Sequence, residues 1–320
     1  MRLHRPSDVR AELNISQNRT AKTCLYAIGG NALSDPLHPE APNDVLDSVL
    51  DDVFDLLEAG YNIVLTHGNG PQVGQLLLME ESLGGVPEGL DNWVAATQGT
   101  IGHDIATRLD GLLTSRHRHE QVATLLTRVA VYENDPGFKT PTKPIGPVIL
   151  GEAPNHWVVG QTLQGPRRLV ASPLPVEILD ADAIEALLHA GAIVLACGGG
   201  GIPVIVEPTG FRGVEAVIDK DRVSSLLAQT LAVDLFIIST AIDSIRVNFG
   251  TPEEKALRMV AAADLQAHLS QSQFPAGSMG PKVEALLQAK LGRPSMEVLL
   301  CTPGQALAAV RGEAGTTVES

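Results

Sequence analysis

The chain has 320 residues, of which 44% are hydrophobic, so it can bury a sizeable core in one large α/β domain or two smaller ones. A formal net charge of −14 argues against a nucleic-acid or anionic-membrane binder, and an aromatic content of 3% argues against stacking platforms for single strands. Three cysteines, Cys24, Cys197 and Cys301, lie in apolar strand-like runs without metal-ligand spacing. They are predicted to be buried, reduced thiols of a cytoplasmic protein.

Residues 1–22 are polar and have no apolar segment of the kind that a secretory signal requires. We therefore expect an N-terminal extension followed by one domain over 23–320. The uncharged segment 186–206 is long enough to span a bilayer, but it contains four consecutive glycines and Pro203. A helix end, a buried strand and a glycine loop explain it better.

Strands and helices alternate from residue 23 onwards, which predicts an α/β fold with a mostly parallel sheet. The predicted strands cover 23–28, 61–65, 124–131, 192–196, 235–239 and 297–301. The predicted helices cover 44–59, 72–83, 92–113, 181–190, 221–231, 281–289 and 303–310, with a further helix starting over 253–258. Residues 134–175 are rich in proline and carry several basic residues, so they are predicted to form an inserted lid.

Five glycine-rich stretches follow or open these elements, at 29–31, 67–72, 198–201, 213–221 and 277–282. Glycine lets backbone N–H groups approach a ligand, and lysine adds a compact positive charge. The series therefore indicates an enzyme that holds and transfers a phosphoryl group. Neither the GxGxxG dinucleotide pattern nor the GxxxxGK[ST] P-loop is present, so a different phosphate-binding fold is required.

Each stretch also has a structural interpretation. Gly29-Gly30-Asn31 fits a tight turn as well as a ligand loop, and 67–74 fits a strand–helix turn. His67 is a possible general acid–base, although a loop histidine more often makes structural hydrogen bonds. The run 218–221 alternates acid and base and fits a solvated turn. Lys282, in the first turn of a predicted helix, is the sharper signal, because the helix dipole disfavours lysine there unless an anion is bound.

Taken in order, six stretches resemble the carbamate kinases of the amino acid kinase family. They are AIGGNAL (27–33), HGNGPQVG (67–74), PTKPIGP (141–147), GGGGIPV (198–204), GVEAVIDKD (213–221) and FPAGSMGPKV (274–283). The PTKPIGP insertion separates carbamate kinases from related acetylglutamate and aspartate kinases. The resemblance covers nearly everything but the N-terminal extension.

The resemblance implies a homodimer whose subunit is a three-layer α/β/α sandwich, with an open, mostly parallel sheet of about eight strands and a small inserted lid over about 134–175. An N-lobe over 23–210 would hold carbamate or carbamoyl phosphate, and a C-lobe over 211–320 would hold ATP or ADP with Mg²⁺. No membrane or nucleic-acid partner is implied, and no protein side chains are assigned to a metal.

The same resemblance assigns roles to individual residues. The catalytic residues would be Lys220, Lys282, Asp221 and Lys143, the last carried by the lid. The substrate- and phosphate-binding residues would be Gly29, Gly30, Asn31, Gly68, Asn69, Gly70, Gly199 and Gly200. The nucleotide-binding residues would be Ala241, Asp243, Gly277, Ser278 and Met279. The chain departs from the family pattern at Ala241, which stands in place of an acidic residue, at His103 and at Arg222.

The implied reaction is ATP plus carbamate giving ADP plus carbamoyl phosphate, usually run towards ATP in catabolism. Two alternatives stay open: a kinase of the same fold for another small carboxylate or phosphate, and a catalytically silent sensor of carbamoyl phosphate or nucleotide. The supplying pathway is also open, with arginine, purine or allantoin breakdown as candidates.

Overall fold

An eight-stranded sheet organises the chain in the computed structural model, which describes residues 21–33, 43–84, 88–162, 164–274 and 279–320. The strands are β1 (Lys22–Ile28), β2 (Tyr61–His67), β3 (Val122–Thr124), β4 (Arg128–Ala130), β5 (Lys143–Ile145), β6 (Val158–Thr162), β7 (Gly165–Val170), β8 (Glu177–Ile178), β9 (Ile193–Leu195), β10 (Ile202–Glu207), β11 (Gly210–Gly213), β12 (Leu235–Ser239), β13 (Ile245–Val247), β14 (Lys255–Leu257), β15 (Met259–Ala261), β16 (Glu297–Cys301) and β17 (Thr316–Glu319). The helices are α1 (Asp44–Glu58), α2 (Gly70–Leu83), α3 (Leu90–Ser115), α4 (Ala181–His189), α5 (Lys220–Thr230), α6 (Ala262–Ser270), α7 (Met279–Gly292) and α8 (Ala306–Val310).

The strand order of the main sheet is β15-β17-β16-β12-β1-β2-β9-β3. Every neighbouring pair is parallel except β16 with β17. Residues 22–195 supply one side of the sheet and residues 235–319 supply the other, and the two sides meet where β1 pairs with β12. The predicted open, mostly parallel sheet of about eight strands is confirmed.

The central strands are buried on both faces, as β1 shows. Cys24, Tyr26 and Ile28 pack into one apolar cluster, and the alternate residues Leu25 and Ala27 pack into another on the opposite face. Side chains alternate across a strand, so each face needs its own covering layer. Helices α1, α3 and α8 contribute to the first cluster, and α4, α5, α6 and α7 contribute to the second. The three-layer α/β/α sandwich is thereby confirmed.

The proline-rich segment 134–175 contains a sheet of its own. Strands β5, β7 and β6 pair antiparallel in the order β5-β7-β6, after a short 3₁₀ turn at Pro136–Phe138. A further four-stranded sheet has the order β11-β10-β4-β8. Its strand β4 precedes the proline-rich segment in the chain, and β8 follows it. The antiparallel hairpin of β13 and β14 completes the small sheets.

Two sequence predictions about elements are wrong. The single strand predicted over 124–131 is two strands in different sheets, because the chain leaves the main sheet after Leu125, and Gln98 Oε1 accepts from the backbone N–H of Thr127 before β4 starts. The helix predicted to start over 253–258 is instead strand β14. Its helix-like composition is overridden by pairing with β13, and Arg246 on β13 binds Glu254.

The segment 186–206 divides into the end of α4, strand β9, a glycine loop and strand β10, as predicted. Within the described ranges, none of the helices has the length and apolar character needed to cross a membrane. Cys24, Cys197 and Cys301 are buried free thiols, also as predicted. The predicted extension over 1–22 lies almost wholly outside the described residues.

Candidate active site

The candidate site lies at the carboxyl ends of the central strands, where the two halves of the sheet meet. In open α/β sheets, ligands bind in the crevice beyond the strand ends at such a switch point. Gly29 follows β1 and approaches the end of β12 so closely that a Cβ atom on it would lie 2.7 Å from the carbonyl oxygen of Ser239. Glycine is required here because a side chain would push the two strand ends apart.

Three helices begin at this edge and present their first turns to a common cavity. The contributing residues are Gly70, Pro71 and Gln72 of α2, Lys220 and Asp221 of α5, and Pro281 and Lys282 of α7. The first N–H groups of a helix have no partner within the helix, and its amino end carries a partial positive charge. Three such ends around one space favour a polyanionic ligand.

The cavity has a volume of about 440 Å³ and is closed on one side by the proline-rich segment. Of the sequence-predicted residues, Gly30, Gly68, Asn69, Gly70, Lys143, Gly199, Lys220, Asp221 and Lys282 line it. Gly29 and Gly200 do not line it. Asn31 lies in the 3₁₀ turn Gly30–Ala32.

Two lysines share one carboxylate inside the cavity. Lys220 Nζ donates to Asp221 Oδ1 at 2.7 Å, and Lys282 Nζ donates to Asp221 Oδ2 at 3.1 Å. Asp221 is buried, and burial raises the pKa of its carboxyl, but the two lysine charges and the hydrogen bond from Lys220 bring that pKa well below its usual range. Asp221 is thus an anion that fixes both ammonium groups at the amino ends of α5 and α7.

The two lysines differ in how firmly they hold their protons. Burial lowers the pKa of Lys220, and the nearby charge of Lys282 adds to that effect. Burial also tends to lower the pKa of Lys282, but the charge and hydrogen bond of Asp221, together with the charge of Asp219, raise that pKa above its usual value. The pKa of Lys220 is therefore lowered and that of Lys282 is raised, although both ammonium groups donate to the carboxylate of Asp221.

Asp219 has two functions in this arrangement. Its Oδ1 atom accepts from the backbone N–H groups of Asp221 at 2.9 Å and Arg222 at 3.3 Å, which caps α5. Its Oδ2 atom accepts from Lys143 Nζ at 2.6 Å. The residue that starts the helix therefore also holds the lid lysine at the cavity.

The glycine loop after β9 depends on backbone conformations that favour glycine. Gly199 has φ +66° and Gly200 has φ +89°. A Cβ on Gly199 would lie 2.2 Å from Asn69 Nδ2, and one on Gly200 would lie 2.2 Å from the carbonyl oxygen of Ile218. The loop therefore packs directly against Asn69 and Ile218, which belong to two neighbouring loops of the site. Gly200 contributes to the site through this close packing.

His67 is buried behind the site. Its Nδ1 atom lies 2.8 Å from the carbonyl oxygen of Gly68, which assigns the ring proton to Nδ1. Burial lowers its pKa to about 4, with the Lys220 charge contributing in the same direction, although the bond to Gly68 opposes this. A Cβ on Gly198 would lie 2.3 Å from His67 Nε2. His67 is thus a neutral packing residue that shapes the Gly68 loop.

Of the predicted nucleotide-binding residues, the three that the structure describes, Ala241, Asp243 and Met279, do not line this cavity. Ala241 and Asp243 are exposed in the segment that follows β12, and Asp243 binds Arg246 through both carboxylate oxygens at 3.1 Å. Met279 is buried at the start of α7. Gly277 and Ser278 lie outside the described residues.

The cavity residues that were not predicted as site residues include Asp219, Gln72 and Arg167. Asp219 had a recognisable signal, since an aspartate just before a helical run is typical of an N-cap. Arg167 was counted only among the basic residues of the lid segment. The direction of its side chain could not be predicted, because it depends on how the lid strands pair.

Sequence and structure comparisons agree with this architecture. A sequence model described as the amino acid kinase family matches residues 22–298. The chain is 40% identical over 313 residues to the carbamate kinase-like protein YahI of Escherichia coli (strain K12), covering 92% of this chain and 98% of that protein. It is 38% identical over 309 residues to a carbamate kinase of Clostridium perfringens (strain 13 / Type A), covering 92% and 98%.

A similar solved structure is the carbamate kinase from Giardia lamblia bound to AMP-PNP, with a TM-score of 0.82, 30% identity, and coverage of 93% of this chain and 98% of that one. The relatives include proteins termed kinases as well as proteins termed kinase-like. The chain belongs to the amino acid kinase family, within the group formed by carbamate kinases and carbamate kinase-like proteins.

Proposed function

We propose that the protein transfers a phosphoryl group reversibly between ATP and carbamate, giving ADP and carbamoyl phosphate. The observation that carries the proposal is the arrangement of Lys143, Lys220 and Lys282 around Asp219 and Asp221 in one cavity lined by helix amino ends. This is the equipment that phosphoryl transfer needs, because the transferred group must be positioned and its charge neutralised.

The chemistry requires no general base from the protein. Carbamate is already an anion, so its oxygen can attack without losing a proton. The barrier comes from bringing two anions together while charge is redistributed over the phosphoryl oxygens. Lys220 and Lys282 supply positive charge, Asp221 holds them in place, and the Gly68–Gly70 and Gly199 loops line the cavity in which the ligand would bind. Lys143 adds a third cation from the lid.

Mg²⁺ is proposed to enter with the nucleotide. In the described part of the chain, no group of three or more His, Cys, Asp or Glu side chains is suited to hold a metal by itself. Mg²⁺ commonly keeps several waters and binds substrate phosphates with only one or two carboxylates, and Asp219 and Asp221 are the carboxylates that line the cavity. When bound, the ion would neutralise charge on the phosphates.

The strand order supports a division into two lobes. We propose an N-lobe over 23–210 for carbamate or carbamoyl phosphate, with the lid at about 134–175, and a C-lobe over 211–320 for ATP or ADP. In the sheet, β1, β2, β3 and β9 lie together on one side, and β12, β15, β16 and β17 lie on the other. Under this division, Ala241, Asp243, Gly277, Ser278 and Met279 belong to the nucleotide side.

Assembly and context are part of the same proposal. We expect a cytoplasmic homodimer that uses carbamoyl phosphate to make ATP in a catabolic pathway such as arginine breakdown. Light scattering after size-exclusion chromatography tests the dimer, and a mass of one subunit would contradict it.

The decisive experiment is ATP formation from ADP and carbamoyl phosphate with purified full-length protein. We expect Mg²⁺-dependent turnover well above the spontaneous decay of carbamoyl phosphate. ATP formation from acetyl phosphate alone would instead favour the alternative of another small carboxylate. Carbamoyl phosphate binding without turnover would favour a sensor, and this is disfavoured by the intact Lys220–Asp221–Lys282 arrangement.

A further inference from the structure

Two adjacent arginines on strand β7 of the lid face different cavities. Side chains alternate along a strand, so Arg167 and Arg168 point to opposite faces of the small lid sheet. Arg167 lines the 440 Å³ cavity that holds the three lysines. Arg168 lines a separate cavity of about 310 Å³ between the lid and α2.

Arg168 has an acidic partner and an aromatic partner within the protein. Its guanidinium donates to Glu81 Oε1 at 2.8 Å and lies over the ring of Trp157 at 4.8 Å. Trp157 Nε1 donates to the same Glu81 oxygen at 3.0 Å. The charge of Arg168 is therefore compensated within the protein, and its contacts tie the lid to α2.

Arg167 has no such compensation. Its Nε atom donates to the carbonyl oxygen of Gly146 at 2.9 Å, but within the described ranges no carboxylate forms an ion pair with it. It is half-buried, and burial lowers its pKa without an opposing acidic neighbour. A partly desolvated cation without an anion is unfavourable unless a ligand supplies the negative charge.

The hydrogen bond from Arg167 Nε to Gly146 fixes where the terminal nitrogens of the guanidinium lie. The backbone N–H of Gly146, whose carbonyl oxygen accepts from Arg167, donates to the carbonyl oxygen of Gly70 at 2.9 Å. Gly70 is the first residue of α2, so Arg167 is fixed to the N-lobe side of the cavity. With Nε occupied, the two terminal nitrogens keep a planar set of N–H donors, which matches a pair of carboxylate-type oxygens.

We propose that Arg167 binds the carboxylate-type oxygens of the acceptor substrate, and that it thereby selects carbamate and carbamoyl phosphate on the N-lobe side of the cavity. The lysines serve the phosphoryl group from α5, α7 and the lid, whereas Arg167 holds the group to which the phosphoryl is transferred. This inference rests on the proposed function and names a binding residue that the glycine and lysine motifs do not include.

The test compares Arg167→Gln with Arg168→Gln in the full-length protein, using ATP formation from ADP and carbamoyl phosphate. Loss of charge-assisted hydrogen bonds should raise the KM for carbamoyl phosphate by about 10- to 100-fold in Arg167→Gln, with the KM for ADP within about threefold of the wild type. Arg168→Gln removes a neighbouring lid arginine and should change the KM for carbamoyl phosphate less than threefold. Arg167→Lys, which keeps the charge but loses the planar donors, should give an intermediate KM.

A binding measurement separates this inference from the proposed function. Carbamoyl phosphate alone should raise the Tm of the wild type and of Arg168→Gln but not that of Arg167→Gln. A wild type that neither makes ATP nor gains stability from carbamoyl phosphate would refute the proposed function itself. An active wild type whose Arg167→Gln variant keeps its KM and its Tm shift would overturn the assignment of Arg167 alone. Equal KM increases in both glutamine variants would also overturn it, since the cause would then be damage to the lid.

Discussion

Lys143 Nζ on the lid donates to Asp219 Oδ2 at the start of α5 at 2.6 Å, although the two residues are 76 positions apart in the chain. The contact joins a proline-flanked strand to the residue that caps α5. Pro144 follows Lys143 directly, and this restricts the backbone to extended conformations and directs the lysine into the cavity. The lid lysine and the α5 lysine are therefore coupled through one helix terminus.

Lys143→Ala should lower turnover more than it weakens ADP binding. The substitution removes a cation beside the phosphoryl group and leaves the Lys220–Asp221–Lys282 arrangement intact. Steady-state kinetics with separate KM values checks this, and Lys139→Ala, at an exposed lysine of the same segment, is the matched control. Slower hydrogen exchange over 134–175 with both ligands bound would show that the lid closes. If Lys143→Ala has normal turnover and hydrogen exchange over 134–175 does not depend on ligands, the segment is a structural insertion without a catalytic role.

Lys220→Ala and Lys282→Ala should each reduce kcat by about two orders of magnitude, because removal of one preorganised charge or donor commonly has that effect. Each variant also leaves Asp221 with only one lysine partner. Circular dichroism verifies the fold before the kinetics are compared. Lys255→Ala changes an exposed lysine of the same half of the chain and should retain the wild-type rate. Near-normal rates in two folded active-site variants would mean that the phosphate site lies elsewhere.

Local motifs in the sequence pointed to the glycine loops, Lys220 and Lys282, because these depend on local chemistry, whereas Lys143 was predicted from the family resemblance. A glycine with positive φ and a lysine in the first turn of a helix are visible in short motifs, as at Gly199 and Lys282. Arg167 could not be separated from Arg168 in this way, since only the pairing of β7 with β5 and β6 decides which of them faces the cavity. The same limit explains β14, whose charged sequence is typical of a helix until its partner strand is known.

The second role of Asp219 illustrates an intermediate case. An aspartate just before a helix is typical of an N-cap, and Asp219 caps α5 in the structure. Its contact with Lys143 depends on the lid folding back over the strand ends, which no local pattern encodes. The predicted nucleotide residues Ala241 and Asp243 rest on resemblance alone and stay a prediction.

Protein stability should fall as the pH is lowered from 7.5 to 5, with His67 as one cause. The folded-state pKa of His67 is about 4, below the ordinary value of 6.5, because the ring is buried. Protons then bind more readily to the unfolded chain, so this contribution is complete above about pH 6.5 and is lost as the pH falls towards 4. Its size is about 2 kcal/mol of unfolding free energy between pH 7.5 and pH 5.

Urea unfolding at the two pH values measures this effect. His67→Gln cannot titrate and should show a pH dependence smaller than the wild type by about that amount. His119→Gln, at an exposed histidine, serves as the control for the substitution itself. If His67→Gln and the wild type lose equal stability, His67 is not neutral in the folded protein.

Gly74→Ala should uncouple the lid from α2 while leaving the rest of the fold in place. A Cβ atom on Gly74 would lie 2.0 Å from the backbone nitrogen of Gly146, and backbone atoms cannot move aside as a flexible side chain can. Gly146 carries the contacts to Gly70 and Arg167, so its displacement should open the cavity. We expect a loss of turnover of at least about tenfold, since small misplacements of catalytic groups are costly.

Gly99→Ala on α3 provides the matched helical control, because nothing lies within 4 Å of the added methyl group. This variant should keep full activity and gain up to about 1 kcal/mol of stability from helix propensity. Turnover assays and hydrogen exchange over 134–175 distinguish the two substitutions. Faster hydrogen exchange in Gly74→Ala, but not in Gly99→Ala, would show that activity is lost because the lid no longer packs against α2. A fully active Gly74→Ala would show that the lid can function without its close approach to α2.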